Sequence, residues 1–472
     1  MALTLALIES GLLFGVVLGG TFLLEQRVLR SAIDAATLLT HVMAICACCI
    51  AGFYYNDLYN PRVVWSFRGF AARLLSSLGL AFVLLAVLYA VLPEAVIDEG
   101  TVVLGFLVTL ALVLPVRGAA YALVRSGPFR ERVVILGSGP FATRLLREIE
   151  SQPCLRYSVV GIVHDDPAAG AGHRFLGPLE RLDEILREVQ PDRVIVALTE
   201  RRGRMPVQHL LDARLDGVVV ENGVRVYERL TGKRAIESLT PSSVIFSRDF
   251  CKSRLDLAAG RALSLLVAAA GLLLFAPLLG LIALAIKLDS GSPVLYVHER
   301  VGLRGRRFKL LKFRTMHRTG ADVGDWTRDQ SDRVTRAGKW LRRFRLDELP
   351  QFINILRGDM NLVGPRPHRV SKYEAFLETI PYFSLRAVVR PGLTGWAQVQ
   401  YGYASRLEEE TEKVRYDLYY VERLSFALDL RILFDTVKIV FFGRGSRSRA
   451  QRQAESRVPV GATPPGMGSV AR

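Results

Sequence analysis

The chain has 472 residues, too many for one compact core at ordinary domain sizes, and half of them are hydrophobic although the net charge is +17. Apolar runs in a bilayer with basic segments beside them account for both numbers. Nucleic-acid binding, the other common reason for such a charge, is set aside because the Lys and Arg residues flank apolar stretches and active-site-like motifs, with no zinc-finger or RNP pattern among them. Of five cysteines, Cys46, Cys48 and Cys49 crowd into one apolar run while Cys154 and Cys251 stand alone, which suits neither a disulfide framework nor zinc-ligand spacing.

Apolar stretches near Leu5 to Leu24, Ala35 to Tyr54, Leu74 to Leu92 and Thr101 to Val116 are each about long enough, with some tilt, to cross roughly 30 Å of hydrocarbon. They are read as four transmembrane helices. The first has no basic residues before it and leads into three more, so it is expected to be retained rather than cleaved. Arg62, Arg68 and Arg73 between the second and third, acidic Glu94, Asp98 and Glu99 after the third, and Arg117, Arg125 and Arg130 after the fourth place both ends of the bundle in the cytoplasm. Arg27 and Arg30 fall on the opposite side and leave the first hairpin's orientation open. Glu9 and Asp34, at or within the spans, are either interface residues or functional ones.

From Arg132 short β-branched runs alternate with amphipathic segments, from RVVILGSG through FATRLLREIE and YSVVGIVHDD to DRVIVAL, which implies a mostly parallel sheet with helices on its faces. Gly137, Gly139 and Ala142 form G-x-G-x-x-A between a strand and a helix, where backbone N–H groups and the helix dipole can hold a phosphate. Asp165, closing the next strand, is a candidate acceptor for a ribose hydroxyl. Tight strand-to-helix packing alone also asks for such glycines, so nucleotide binding here stays one of two readings.

A fifth apolar run, Ala262 to Ile286, carries basic residues on both flanks, which keeps both of its ends on the cytoplasmic side. Pro277 within it removes a backbone hydrogen bond and clashes with the preceding turn, so the expected form is a re-entrant hairpin spanning about 258–288 rather than a fifth crossing. After Gly443 the chain is rich in Arg, Ser, Gly and Pro without periodicity, and reads as a disordered tail.

Chemistry concentrates in GKWLRRFRLDELPQ, Gly338 to Gln351, where Asp347 and Glu348 are adjacent carboxylates. Pro350 disfavours helical geometry at Leu349 and suits the start of the helix QFINIL, so the pair is expected at a helix break, free to face a ligand. By itself that pattern is also an ordinary N-capping cluster. Its company argues otherwise. Lys312 and Arg314 end the strand-like segment upstream, and Gly364 to Pro367 makes a rigid turn that presents Arg366, whose planar fork matches phosphate oxygens. Several fixed cations around two carboxylates, beside a membrane hairpin, suit phosphoryl transfer between a soluble and a membrane-bound substrate.

These motifs closely resemble the bacterial sugar transferases, also called monotopic phosphoglycosyl transferases, in the large form that places a four-helix membrane domain and a Rossmann-like domain before the catalytic unit. The resemblance covers essentially the whole chain. It rests on KFRTM at Lys312 to Met316, L-R-x-x-x-L-D-E-L-P-Q ending at Gln351, GDMNLVGPRP at Gly358 to Pro367, RPGLTGWAQV at Arg390 to Val399 and YDLYYV at Tyr416 to Val421. FFGRGSR and NDLYNPR are similar to the exopolysaccharide-initiating branch associated with PEP-CTERM loci. The resemblance implies Asp347 as nucleophile and Glu348 as its partner, both concerned with Mg²⁺. It further implies Arg342 and Arg366 at phosphate oxygens, a UDP-sugar donor, an undecaprenyl phosphate acceptor, a bacterial inner-membrane location with the catalytic and Rossmann-like domains cytoplasmic, and an optional homo-oligomer. Ala276 stands where smaller relatives carry Ser before the kink proline.

The fold expected is therefore a membrane α-helical bundle over 1–125, an α/β Rossmann-like domain over 126–248, an α/β-type catalytic domain with a re-entrant membrane helix over 249–445, and a tail over 446–472. The expected reaction transfers a sugar-1-phosphate to the lipid phosphate with release of UMP through a phosphosugar-aspartate intermediate, initiating exopolysaccharide synthesis. Two other classes compete. A membrane-anchored NAD-dependent oxidoreductase or epimerase using the glycine loop leaves the Asp-Glu-Leu-Pro and PRP motifs without a task. A non-catalytic assembly scaffold has no need of Asp347.

Overall fold

Uninterrupted apolar sequence makes the first elements helical. The computed structural model describes positions 11, 15, 35–56, 58, 67–91, 107, 110, 111, 115, 130–151, 157–165, 174–198, 205–239, 241–246, 252–317, 333–401 and 407–442. Helices α1 (Ala35–Tyr55) and α2 (Phe67–Val91) pack along Val42, Ile45, Cys49, Phe70, Leu74 and Leu85. At Gly52 they come so close that a Cβ would collide with the Ser77 carbonyl, the small-residue approach by which apolar helices gain dispersion contacts. Arg73 ties the far end, donating Nη1 to the Asn56 carbonyl at 3.2 Å. Arg73–Ala90 and Arg254–Leu274 are, by length and composition, the two stretches among the described residues able to cross a membrane. The first and fourth expected spans, Glu9, Asp34 and the tail lie outside the described residues apart from isolated positions.

Alternating short strands and amphipathic helices then build a parallel sheet. In chain order these are β1 (Glu131–Leu136), α3 (Pro140–Glu150), β2 (Tyr157–Val163), β3 (Phe175–Gly177), α4 (Leu182–Val189), β4 (Arg193–Val196), α5 (Val207–Leu215) and β5 (Val219–Asn222). The strands lie in the order β3-β2-β1-β4-β5, every neighbour parallel. Leu136, Val163, Val194, Leu182, Ile185 and Leu210 fill the space between sheet and helices. Gly137 has φ +120, and a Cβ on it would lie 2.8 Å from the Ala197 carbonyl oxygen, so packing by itself demands glycine there. Gly139 N-caps α3, with Pro140 opening the helix. Asp165, exposed at the end of β2, accepts from the Leu179 amide at 3.1 Å through Oδ1 and so braces the turn after β3.

The chain divides into two compact units after Gly223. In the second, α6 (Gly223–Thr231) and α7 (Pro241–Phe246) lead into the apolar pair α8 (Arg254–Leu274) and α9 (Ala276–Ser290). A hairpin of β6 (Leu295–Val301) and β7 (Arg307–Phe313) follows, then α10 (Arg336–Arg343), a 3₁₀ turn at Leu346–Glu348, α11 (Gln351–Arg357), β8 (Asn361–Val363) and α12 (Val370–Thr379). Last come β9 (Gly392–Thr394), parallel to β8, and the helices α13 (Trp396–Tyr401), α14 (Leu407–Arg423) and α15 (Phe426–Phe442).

Residues 224–239, assigned by sequence to the Rossmann-like domain, belong instead to this second unit. Arg234 pairs with Glu422 at 3.0 Å, Lys233 with Glu412 at 2.8 Å, Arg415 with Glu237, and the Trp396 indole donates to the Gly232 carbonyl at 2.9 Å. The strand pattern ends with β5, and the charged side chains that follow find counterions on α14, with Arg234 pairing to Glu228 of α6 as well.

Helix α8 ends and α9 begins around Phe275, at φ −91 and ψ 4. Pro277 occupies the first turn of α9, where its missing N–H leaves no intrahelical bond unmade. Arg261 on α8 donates to the carbonyls of Met360 at 2.9 Å and Ile355 at 2.8 Å and to Asn361 Oδ1 at 3.1 Å, fastening that helix to the turn after α11. Helix α10 is pressed against the end of the hairpin: Thr335 caps it, accepting from the Gly338 amide at 2.9 Å, and a Cβ on Gly338 would collide with the Thr315 carbonyl. Gly338→Ala is therefore expected to lower stability by about 1–3 kcal/mol through overpacking, read as a reduced Tm of the purified protein in nanodiscs.

Candidate active site

Asp347 and Glu348 sit just after a break, but the break is not the one Pro350 suggests. Arg345 takes left-handed geometry, φ 56 and ψ 22, and ends the run from α10. Leu349 is helical at φ −55 and ψ −37, and Pro350 caps α11 from a helical conformation. The bias of a pre-proline residue against helix is overcome here because Leu346 and Leu349 bury themselves against Ile282, Phe313 and Leu341, and the Leu349 amide closes a turn onto Leu346.

This geometry delivers Glu348 into a ring of cations. Its Oε1 accepts from Lys312 Nζ and from Arg366 Nη2, each at 3.0 Å, and Arg345 Nη1 stands 3.8 Å from Oε2. Only 9% of the residue is exposed. Burial alone would raise its proton affinity, but Arg366, Lys312 and Arg345 outweigh that and hold the carboxyl down at about 2. Asp347 moves the other way: burial and then the neighbouring Glu348 charge raise its pKa, with Lys312 and Arg342 countering in part. Among the described residues no side chain donates to the Asp347 carboxylate. Two carboxylates adjacent in sequence thus differ in kind, one fixed as an anion and one left for chemistry.

The cations are themselves held. Asn354, fully buried, accepts from the Leu311 amide at 3.0 Å and donates to the Lys309 carbonyl at 2.8 Å, so α11 and β7 cannot slide and Lys312 stays opposite Glu348. Arg342 Nε donates to Thr315 Oγ1 at 2.9 Å. Arg366 Nη1 rests on Gln398 Oε1 at 3.0 Å, and its carbonyl accepts from Arg386, itself paired with Asp417 at 2.6 Å in a wholly buried ion pair.

Of the four cations singled out from sequence, the structure gathers Lys312, Arg342 and Arg366 and diverts Arg314. Arg314 is buried and its Nη2 donates to the Ser290 carbonyl at 2.7 Å, Ser290 Oγ at 3.0 Å and the Gly291 carbonyl at 2.5 Å, capping the end of α9. Its bonds are therefore with the backbone at the end of α9 rather than with the dyad. Sequence reasoning missed Arg345, although three-residue spacing to Glu348 was a readable signal, and Arg386 with Asp417, for which no local signal exists.

As for a metal, no group of three or more His, Cys, Asp or Glu side chains suited to one occurs among the described residues. The dyad offers two carboxylates, which fits a hard divalent cation of the Mg²⁺ kind that completes its shell with substrate phosphate oxygens and water.

Residues 255–443, the stretch holding all of this machinery, match the family described as bacterial sugar transferase, and residues 54–216 match one described as a CoA-binding domain. A UDP-glucose:undecaprenyl-phosphate glucose-1-phosphate transferase of Escherichia coli K12 is 34% identical over 321 residues, 66% of this chain and 68% of that protein. The chain belongs to the bacterial sugar transferase family. Within that family, a UDP-N-acetylgalactosamine-undecaprenyl-phosphate N-acetylgalactosaminephosphotransferase of Aeromonas hydrophila is 38% identical over 224 residues, 47% of this chain and 52% of that relative's length. A UDP-glucose:undecaprenyl-phosphate glucose-1-phosphate transferase of Caulobacter vibrioides is 46% identical over 181 residues, 38% of this chain and 67% of that one.

The two arginines separate stability from ligand contact. Arg314→Ala leaves buried acceptors unmatched and is expected to cost about 1–3 kcal/mol, seen as a lowered Tm. Arg366→Ala, at a side chain 43% exposed, is expected to leave the Tm close to that of the parent while weakening nucleotide binding in calorimetry.

Proposed function

We propose that this sugar transferase moves a sugar-1-phosphate from a UDP-sugar to undecaprenyl phosphate, giving undecaprenyl-diphospho-sugar and UMP, the initiating step of an exopolysaccharide. The observation that carries the reading is the inequality of the dyad: Asp347 is half-buried without a side-chain donor beside a Glu348 committed to Lys312 and Arg366. In the first step an Asp347 oxygen attacks the β-phosphorus, the bond from that phosphorus to the bridging oxygen breaks, and UMP leaves. In the second an oxygen of the lipid phosphate attacks the same phosphorus and the carboxylate of Asp347 is restored. Two displacements replace one encounter of three bodies. Lys312, Arg342 and Arg366 orient the diphosphate and offset the charge that develops on the departing oxygen. Mg²⁺, held by Glu348 and Asp347 together with substrate oxygens, supplies further neutralisation of the diphosphate when bound.

The bilayer is part of the same proposal. The chain is assigned to the bacterial inner membrane through a four-helix bundle, with both the parallel-sheet unit and the catalytic unit in the cytoplasm and α8–α9 as a re-entrant pair. The basic flanks of both regions support this. The glycine loop, with Gly137 and Gly139, is retained as a nucleotide site of the parallel-sheet unit, with Asp165, whose Oδ1 also braces the turn after β3, as its ribose acceptor. Homo-oligomers are compatible with the reading and not required by it.

The test is UMP release by nanodisc-held protein given Mg²⁺, undecaprenyl phosphate and a panel of UDP-sugars. Release with one donor, reduced by at least about 10³-fold in Asp347→Asn, is the expected outcome for loss of a nucleophile; an Asn variant as active as the parent sinks the reading. The pH profile offers an independent check. Asp347 must be ionised to attack and its pKa is raised, so kcat/KM should fall, as pH is lowered, at a pH above the ordinary aspartate value of about 4. Glu348, ionised down to about 2, contributes nothing to that limb, and Glu348→Gln, by removing a neighbouring negative charge, should shift it to lower pH.

A further inference from the structure

The hairpin face that carries Lys312 also carries a histidine to which no role has been given. β6 and β7 pair with Tyr296 opposite Lys312 and His298 opposite Leu310, so strand alternation sets Tyr296, His298, Arg300 and Lys312 on one face, the face that reaches Glu348. Both ring nitrogens of His298 are buried and neither has a hydrogen-bond partner among the described residues. Tyr296, itself 41% exposed, stacks over the ring at 5.1 Å between centroids. Burial first, and then the charges of Arg300, Arg369, Lys312 and Arg366, hold the imidazole down at about 3, so it is neutral at physiological pH.

A neutral imidazole has one N–H to donate and one nitrogen to accept, and its surroundings here offer neither a carboxylate nor a carbonyl to take the N–H. What four clustered cations attract is an anion, and the oxygens of an anion are acceptors. The ring therefore supplies what guanidinium and ammonium groups alone do not: an uncharged donor in a place where a fifth cation would be repelled.

Building on the transferase reading above, we propose that His298 is a substrate-contacting residue whose ring N–H donates to a phosphate oxygen of the nucleotide diphosphate or of the lipid phosphate, with Tyr296 the cover that the entering ligand displaces. The two sources share one chemistry and separate by experiment. His298→Ala and His298→Phe remove the donor, the second while filling the ring's volume should alanine fail to fold, and His298→Gln returns an uncharged N–H.

The measurements are calorimetric binding of UDP, used as an unreactive probe, and the KM for undecaprenyl phosphate in the UMP-release assay, each on full-length protein in nanodiscs whose Tm matches the parent. Loss of one hydrogen bond to a charged oxygen predicts about tenfold weaker UDP binding or an about tenfold higher lipid-phosphate KM in the Ala and Phe variants. Recovery to within about threefold of the parent is expected for Gln. An effect on UDP assigns the contact to the donor, and an effect confined to the lipid assigns it to the acceptor. Folded Ala and Phe variants that match the parent in both measurements overturn the proposal. If the parent itself releases no UMP but binds UDP in a His298-dependent way, the transferase reading fails while the phosphate contact stands.

Discussion

Two carboxylates joined by one peptide bond, one buried and the other half-buried, repel each other by roughly a few kcal/mol at the effective dielectric near a protein surface. The second unit resolves that conflict by spending its cations unevenly. Lys312 and Arg366 both settle on one oxygen of Glu348, and Arg345 approaches the other. Glu348 stays an anion down to about 2 and Asp347, partly desolvated and then feeling that charge, becomes the more basic of the two. Pushing two like groups apart in proton affinity is how one site obtains two roles from one residue type. Here the more basic carboxylate is also the one without side-chain donors, and a carboxylate with greater proton affinity and no side-chain cation bonded to it is the better nucleophile.

That division of labour holds only if cations from distant stretches arrive together, and much of the second unit serves this. Lys312 comes from β7, Arg345 from the turn before the dyad and Arg366 from the PRP turn. Asn354 locks the first against α11 with bonds to both sides of Leu310, and Arg386 locks the last through the Arg366 carbonyl. The Arg386–Asp417 pair beneath is a weak argument for stability, since desolvating both charges offsets most of their attraction. Its consequence is positional: removing either partner strands the other, so the PRP turn has one place to be.

Sequence order revealed some of this and concealed the rest for identifiable reasons. The parallel sheet and the Gly137 turn were legible because alternation and glycine spacing are local signals with local causes. The dyad's neighbourhood was legible as motifs, yet the break beside it was misplaced, because the burial of Leu346 and Leu349 that overrides the proline bias depends on α9, some sixty residues away in the chain. Lys312 and Arg314, two apart, should share a strand face; β7 ends at Phe313, so alternation does not extend to Arg314, which turns to the end of α9 instead. The structural part that Asp165 plays was hidden, because nothing in the sequence announces that the chain after β3 will bring the Leu179 amide to it. Arg386 and Asp417 were invisible for the plainest reason: their partnership is purely tertiary.

The same contacts bear on the apolar pair. A straight helix would set Arg261 and Ser290 about 45 Å apart at 1.5 Å per residue. Arg261 bonds to Ile355, the neighbouring Asn354 bonds to Leu311, and three residues on, just past the end of β7, Arg314 bonds to Ser290. That path is too short for a straight rod, so α8 and α9 turn back toward one another at Phe275. Pro277 follows as the residue that starts the second arm at no cost in hydrogen bonds, rather than as a wedge in the middle of one helix. Under the membrane reading, a pair whose two arms are both fastened beside the dyad enters and leaves on one face, and the lipid phosphate is then met at the level where Glu348, Lys312 and Arg366 already stand.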